Sequence, residues 1–192
     1  MKSTEIINQI VASISVKQIL LNDKLLLENI WRLTEAAVQS LRSGGKIIFA
    51  GNGGSFADAQ HLSAEFISRF MFDRAPLASV VLGANNSAIS AIGNDYGYEQ
   101  VFARELVGLA NKNDVFVPIS TSGNSLNILE AAKRAHELGL STFGFTGAGG
   151  GNLASICTCI CVPSDVTARI QECHIMLGHI FCGLVEDKYF KP

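Results

Sequence analysis

Residues 114–139 read DVFVPISTSGNSLNILEAAKRAHELG, and this stretch decides the fold class. It opens on a nearly continuous apolar run and continues through a loop of small polar residues. Residues 126–138 then show the apolar spacing of an amphipathic helix, which Gly139 ends. A strand without polar alternation is typical of a parallel sheet that is covered on both faces. The stretch therefore predicts one strand–loop–helix unit of an α/β protein.

The same unit recurs on either side of this stretch. Strands are predicted at 46–50, 77–82, 141–147 and 156–162, and helices at 4–21, 23–43, 55–72 and 166–188, with a helical stretch and the loop GNDYG after the second strand. This alternation predicts a single three-layer αβα domain over 1–192, with a core at 46–188 and a parallel sheet. The helices of residues 1–43 form an added layer that we expect to contact another subunit. Ligands of such sheets bind at the carboxyl ends of the strands.

The composition excludes several classes of protein. Of 192 residues, 48% are hydrophobic and 17% are charged, the reverse of the balance in disordered chains. The net charge of −2 leaves no basic excess for nucleic acid or an anionic membrane. The N-terminus lacks the pattern of a signal peptide, and the uncharged residues 138–164 contain too much Gly, Ser, Thr and Asn to span a membrane. We expect a cytoplasmic protein that binds neither nucleic acid nor membrane.

The five cysteines include no CxxC pair. Cys157, Cys159 and Cys161 alternate along an apolar stretch, which places them on one face of a strand, at or beyond the reach of a disulfide. A zinc cluster would need a turn that CTCIC does not offer. We interpret all five as reduced core cysteines of a cytosolic protein.

Two loops that follow strands are suited to binding a small anion. The loop of residues 120–125 places four hydroxyl groups and its backbone N–H groups at a helix N-terminus, where the helix dipole favours negative charge; these hydroxyls belong to Ser120, Thr121, Ser122 and Ser125. Such a loop can hold a phosphate without Lys or Arg. It can equally be a polar turn in which Ser125 is the N-cap.

The loop GNGGS, residues 51–55, has the same placement after the first strand. It matches neither common nucleotide motif, because Phe56 stands where a dinucleotide fingerprint has glycine and no Gly-Lys-Ser/Thr follows. A backbone cradle for a small polar ligand fits it better.

Titratable residues follow on two helices. His61 and Glu65 are spaced i and i+4, so they share one helix face and can supply two metal ligands, an acid and a base, or a solvent-facing pair. The last helix contains Gln171 and His179, which are about 80° apart around the helix axis. They could contribute to the same site only if it lay at the side of the helix. We interpret His174 as a core histidine. Asn94 and Asp95, in GNDYG, could contact a ligand or form an Asx turn.

These motifs occur together, and in this order, in one known family. The pattern GNGGSxxDAQH-x3-E, GNDYG, STSGNS and RIQE-x6-H resembles the sedoheptulose 7-phosphate isomerases, or phosphoheptose isomerases, of the SIS-domain superfamily. The resemblance runs from about residue 5 to residue 188. It implies a flavodoxin-like fold with a five-stranded parallel sheet, assembled as a homotetramer with active sites at subunit interfaces.

The resemblance also implies roles for individual residues. Contacts with the sugar phosphate would come from Asn52, Gly53, Gly54, Ser55, Glu65, Asn94, Asp95 and Gln171. The phosphate would be held by Ser120, Thr121, Ser122 and Ser125. One Zn²⁺ per subunit would be ligated by His61, Glu65, Gln171 and His179. Some members carry Asp where this chain has Ala168, so one substrate contact is expected to differ.

The implied reaction converts sedoheptulose 7-phosphate to D-glycero-D-manno-heptose 7-phosphate, the first step of ADP- or GDP-heptose synthesis for lipopolysaccharide core, capsule or related glycans. Glu65 would be the base and His179 the acid. Two alternatives are a non-catalytic SIS protein that binds a sugar phosphate or the replication initiator, and an isomerase of another phosphosugar. Because this chain keeps both Glu65 and His179, a catalytic role is favoured.

Overall fold

The computed structural model describes residues 2–191, and within them a single sheet of five parallel strands forms the centre. The strands are β1 (Ile47–Gly51), β2 (Ser79–Val81), β3 (Val115–Ile119), β4 (Ser141–Thr146) and β5 (Thr158–Cys161). Their order is β2-β1-β3-β4-β5. The predicted five-stranded parallel α/β fold is confirmed.

Seven α-helices surround the sheet in the described part of the chain. They are α1 (Lys2–Leu20), α2 (Lys24–Arg42), α3 (Gly54–Ile67), α4 (Asn86–Tyr96), α5 (Val101–Leu109), α6 (Leu126–Glu137) and α7 (Thr167–Phe190). Two short 3₁₀ helices, Tyr98–Gln100 and Gly151–Ser155, complete the structure.

The strands are apolar along their whole length because each face of the sheet borders its own core. Phe49 and Val117 point into the core that includes buried residues of α2, α3 and α7. Their neighbours Ile48 and Phe116 point into the opposite core, which includes residues of α5 and α6. Alternate residues of one strand are therefore buried on opposite sides, which gives the continuous apolar runs seen in the sequence.

Three sequence predictions on the first half of the chain are wrong in detail. The helix predicted at 55–72 ends at Ile67, where Arg74 donates hydrogen bonds to the carbonyls of Glu65, Phe66 and Ser68. These bonds satisfy carbonyl groups that a longer helix would have paired. The strand predicted at 77–82 is paired only over Ser79–Val81. Asn94 and Asp95 do not lie in a loop, because both are inside α4.

The sequence reading also omitted α5. Val101, Phe102 and Leu106 are buried on this helix at helical spacing, so the apolar pattern that would have predicted it is present. The helix is short and has polar segments on both sides, so its apolar pattern was not assigned to a helix.

The two N-terminal helices differ in how they pack. The apolar face of α2 is buried, with Leu26, Ile30 and Leu33 in the core. In contrast, Ile6, Ile10 and Ile14 form a stripe on α1 that is 48–63% exposed. Within residues 2–191, no helix is both long and apolar enough to cross a membrane.

Candidate active site

The two glycine- and serine-rich loops start side by side. Gly51 of β1 is paired with Ile119 of β3, so the loops after these strands leave the sheet at the same height. Strand order reverses here, because β2 lies on one side of β1 and β3 on the other. This is the switch point at which parallel sheets bind ligands.

A pair of amides joins the two loops. Asn52 Nδ2 donates to Asn127 Oδ1 and Asn127 Nδ2 donates to Asn52 Oδ1, each at 2.9 Å. The Tyr98 hydroxyl donates a third bond to Asn52 Oδ1, at 3.2 Å. Asn127 is 3% exposed, at the start of α6. Most of the hydrogen-bonding capacity of the Asn52 carboxamide is thus used within the protein. Within residues 2–191, only its second N–H and its backbone N–H remain free for the predicted contact with a ligand.

The serine loop, residues 120–125, lies at the N-terminus of α6. Ser125 occupies the N-cap position, yet its hydroxyl makes no capping bond and instead lies 3.2 Å from the hydroxyl of Ser120. Ser122 Oγ accepts the N–H of Asn124 within the loop. Because Ser125 does not cap the helix, the simple N-cap interpretation does not account for its position.

The segment that follows β4, residues 147–153, packs against the serine loop. Gly123 has a left-handed φ of 64°, and a side chain there would overlap the carbonyl oxygen of Gly150. The N–H of Leu153 donates to the Gly123 carbonyl at 3.0 Å, and the N–H of Asn152 donates to Asn124 Oδ1 at 2.9 Å. Only glycine fits at 123, so the loop conformation depends on it.

His61 and Glu65 of α3 and His179 of α7 come together. His61 Nε2 lies 2.8 Å from His179 Nε2 and 3.2 Å from Glu65 Oε1. One donor atom from each residue lies within 4.8 Å of the other two, so the three form a possible metal-binding group. The ring of Phe70 stacks on His179, with 5.6 Å between centroids, and fixes the orientation of the imidazole.

Sequence reasoning missed Asp58, which lies one turn before His61 on α3. Burial raises the pKa of its carboxyl group, while the nearby His61 and His179 lower it. Its Oδ2 atom is buried and has no hydrogen-bond partner within residues 2–191. The i, i+3 spacing of Asp58 and His61 was a signal in the sequence that could have identified it.

A buried ion pair holds the two helices that carry this cluster. Arg74 Nε donates to Glu186 Oε1 at 2.8 Å, and the two side chains are 3% and 1% exposed. Glu186 also accepts the N–H groups of Phe70 and Met71. Since Arg74 donates to the carbonyl of Glu65 as well, the end of α3 is tied to α7, which carries His179.

The remaining predicted residues lie around this centre. Gln171 contacts the GNGGS loop: a Cβ at Gly54 would lie 2.5 Å from its Nε2 atom. It is eight residues from His179, about 12 Å along α7. Asn94 Nδ2 donates to Asp95 Oδ1, and both side chains face an open groove on α4, which buries none of its residues.

His174 is in the core, as expected. It is 1% exposed, and its Nε2 atom lies 3.0 Å from the carbonyl oxygen of Thr146. Burial lowers its pKa to about 4, although the bond to Thr146 opposes the shift. A histidine kept neutral inside the protein does not serve as the acid of this site.

Comparison with known proteins gives the family. Residues 5–147 match the SIS domain. The phosphoheptose isomerase of Aneurinibacillus thermoaerophilus is 49% identical over 185 residues, which cover 96% of this chain and 93% of that protein. The chain belongs to the phosphoheptose isomerase family. It is therefore an isomerase, and the expectation of an enzyme is confirmed.

Two solved structures of phosphoheptose isomerases share the whole fold. That from Neisseria gonorrhoeae is 39% identical with a TM-score of 0.90, and covers 97% of this chain and 100% of its own. That from Francisella tularensis is 34% identical with a TM-score of 0.92, covering 97% and 99%. The likeness to phosphoheptose isomerases extends over the N-terminal helices as well as the sheet.

Proposed function

We propose that the chain converts sedoheptulose 7-phosphate to D-glycero-D-manno-heptose 7-phosphate, the first step of nucleotide-activated heptose synthesis for lipopolysaccharide core, capsule or a related glycan. The observation that carries this proposal is the cluster of His61, Glu65 and His179, in a chain that also has a serine loop without Lys or Arg at the start of α6. Isomerisation of a phosphosugar requires both an acid–base group and a phosphate cradle.

The phosphate is held by Ser120, Thr121, Ser122 and Ser125, together with backbone N–H groups at the start of α6. The helix dipole adds to this attraction, because a dianion at a helix N-terminus faces the positive end. Asn52, Gly53, Gly54 and Ser55 contact the sugar chain of the open form. Asn94, Asp95 and Gln171 complete the contacts with its hydroxyl groups.

Glu65 and His179 move the protons. In the direction from ketose to aldose, Glu65 removes a proton from C1 while His179 protonates the oxygen on C2, which gives a cis-enediol. The proton returns from Glu65 to C2 as the hydroxyl on C1 loses its proton, and the aldehyde forms. The number of protons is unchanged, and each is transferred by a group of the cluster.

The same cluster suits a zinc ion. His61, His179 and Glu65 offer the nitrogen and oxygen donors that zinc takes at about 2.0–2.2 Å. The expected fourth ligand, Gln171, is about 12 Å along α7 from His179 with its amide against Gly54, so it does not complete the group within one chain. Tetrahedral donors at that distance are about 3.3–3.6 Å apart. The 3.2 Å between His61 and Glu65 is close to that value, and the 2.8 Å between the two imidazoles has to widen by about half an ångström. When bound, such an ion polarises a carbonyl group.

We infer that the protein is a homotetramer with active sites at subunit interfaces. The stripe of Ile6, Ile10 and Ile14 on α1 supports this inference, because contiguous apolar side chains on a protein surface commonly mark an interface with another protein. The exposed groove on α4 places Asn94 and Asp95 where another subunit could close the site. Light scattering should give four times the 20.5 kDa of one chain, and a fully active monomer would exclude the tetramer.

We place the reaction in the cytoplasm, because all five cysteines are free thiols, as expected in a reducing compartment.

The activity is tested by NMR of the purified protein with sedoheptulose 7-phosphate. The anomeric signals of the aldose should appear and approach a constant ratio to those of the ketose. The Glu65→Gln variant is the control for contaminating isomerase. Aldose formation at equal rates with both proteins, or none with either, would contradict the proposal.

A further inference from the structure

The imidazole of His174 makes a single hydrogen bond within residues 2–191, although it lies in the core. Its Nε2 atom is 3.0 Å from the carbonyl oxygen of Thr146, and its Nδ1 atom is buried without a partner in that part of the chain. Because a carbonyl oxygen only accepts, Nε2 carries the proton of the neutral ring and Nδ1 is an unpaired acceptor. A buried atom of this kind lowers stability. An apolar side chain would avoid that cost, so what the imidazole supplies here is the bond to Thr146.

Thr146 ends β4 directly beside the serine loop. The N–H of Ser120 donates to the carbonyl of Phe145 at 2.9 Å. The N–H of Gly147 donates to the carbonyl of Thr121 at 2.8 Å. Phe145 and Gly147 flank Thr146 in the chain, so the first two residues of the serine loop rest on the segment that the imidazole contacts.

Two peptide groups connect the imidazole to the middle of the serine loop. The carbonyl of Thr146 and the N–H of Gly147 belong to one planar trans peptide group, so they point in opposite directions, the oxygen toward His174 and the N–H toward the Thr121 carbonyl. The next peptide group repeats this arrangement, with the Thr121 carbonyl at one end and the N–H of Ser122 at the other. In the described part of the chain, the Ser122 hydroxyl and carbonyl are hydrogen-bonded but its N–H is not. That N–H is therefore free to bind an anion.

Hydrogen bonds that run in one direction through successive peptide groups strengthen each other. Each donor polarises the peptide group that accepts from it, so the N–H at the far end becomes a better donor. Here His174 donates at the start of the chain and Ser122 lies at its end. The same bonds fix the direction of the Ser122 N–H, because rotation of either peptide group would break one of them.

We propose that His174 is a positioning residue for phosphate binding, which holds the peptide group between Thr146 and Gly147 and through it aims the N–H of Ser122 at the phosphate of the substrate. This inference rests on the proposed function, in which residues 120–125 hold the phosphate. His174 itself does not touch the substrate and transfers no proton. Since α7 also carries His179, one helix then serves both the phosphate and the acid–base cluster.

The test compares His174→Phe with His174→Gln. Phenylalanine fills the core without a donor, whereas the amide of glutamine can donate to the Thr146 carbonyl in place of Nε2. In His174→Phe, the KM for sedoheptulose 7-phosphate should rise roughly three- to tenfold, as expected for one hydrogen bond, while kcat changes less than about twofold. In His174→Gln, most of this loss should be recovered. Calorimetry with inorganic phosphate should show the same loss and recovery, and binding of sedoheptulose should be unchanged.

Two further variants separate positioning from stability. Val185 is also buried on α7, and Val185→Ala should be less stable to urea while its KM for sedoheptulose 7-phosphate stays at the wild-type value. Gly147→Ala acts on the other end of the same peptide group, because its Cβ would lie 2.7 Å from the Thr121 carbonyl oxygen. It should raise the KM for the phosphosugar and leave binding of sedoheptulose unchanged.

The wild type and Ser122→Ala show whether the proposed function itself holds. Equal affinity of the wild type for sedoheptulose 7-phosphate and sedoheptulose would contradict phosphate binding, and this inference with it. If the wild type prefers the phosphosugar and Ser122→Ala loses that preference, the loop holds the phosphate. The role of His174 is then refuted by an unchanged KM in His174→Phe, by an equal rise in Val185→Ala, or by a loss in His174→Gln as large as in His174→Phe. If His174→Phe does not fold, an unchanged KM in Gly147→Ala refutes it.

Discussion

Asn52 and Asn127 exchange two hydrogen bonds of 2.9 Å across the gap between the first glycine-rich loop and the start of α6. The pair fixes the distance between the two loops that we propose contact the sugar and the phosphate. It also limits what Asn52 can offer a substrate, because its oxygen accepts from both Asn127 and Tyr98.

Asn127→Ala should lower kcat/KM by about tenfold or more, because it frees the carboxamide of Asn52 and leaves buried polar atoms unpaired, at a cost of about 1–3 kcal/mol. Asn127→Asp keeps the acceptor for Asn52 Nδ2 and should fall between Ala and the wild type. Tyr98→Phe removes one exposed bond and should have the smallest effect. Steady-state kinetics measures all three, and an unchanged Asn127→Ala enzyme would show that the pair has no role in positioning.

Glu65→Gln should reduce turnover by about 10²–10⁴-fold, since the amide cannot remove the proton from C1. His179→Gln should be nearly as damaging. Glu130→Gln, at a partly exposed position of α6 where the carboxylate pairs with Lys133, is the control and should keep the wild-type rate. If Glu65→Gln retained more than about a tenth of the activity, Glu65 would not be the base.

Ser122→Ala should weaken binding of sedoheptulose 7-phosphate by about tenfold, because it removes one hydrogen bond to a charged group. Binding of sedoheptulose itself should hardly change. Ser155→Ala, whose hydroxyl donates to the Asn152 carbonyl, is the matched control. Calorimetry with both sugars tests this prediction, and equal losses for the two sugars would mean that the phosphate binds elsewhere.

The pH dependence of stability should reveal His174. Its pKa is about 4 in the folded chain and 6.5 when unperturbed, so between these values the unfolded chain binds the extra proton. The free energy of unfolding therefore falls as the pH drops through this window, by about 2 kcal/mol between pH 7.5 and pH 5 for this residue alone. In His174→Phe, the decrease in the free energy of unfolding between pH 7.5 and pH 5 should be smaller by about 2 kcal/mol. Urea denaturation at fixed protein concentration measures it, and identical pH profiles would refute the assignment.

Glu186→Gln should lower the free energy of unfolding by about 3–5 kcal/mol, because it leaves the Arg74 guanidinium buried without its counter-charge. Glu130→Gln breaks an exposed pair with Lys133 and should cost less than about 1 kcal/mol. Metal affinity of the His61–Glu65–His179 cluster should fall in the first variant and not in the second. Equal stability of the two variants would show that the buried pair does not stabilise the fold.

Much of this protein can be deduced from its sequence. The alternation of apolar strands and helices is a local property, and it predicted the parallel sheet and the two loops that begin at Gly51 and Ser120. Motif spacing also grouped His61 with Glu65, because four residues make about one helical turn. The periodicity of the sequence predicts which residues share one face of a helix or strand.

Contacts between elements were decided by the tertiary structure. His179 reaches His61, and Glu186 reaches Arg74, only because α3 and α7 pack together, and no periodicity encodes a pairing across more than 110 residues. The tertiary structure also decided how deeply the cysteine side chains around β5 are buried. The alternation of Cys157, Cys159 and Cys161 indicated a strand, but whether that strand was central or at an edge depended on the order of the sheet. Because β5 is last in that order, its thiols are partly exposed rather than enclosed.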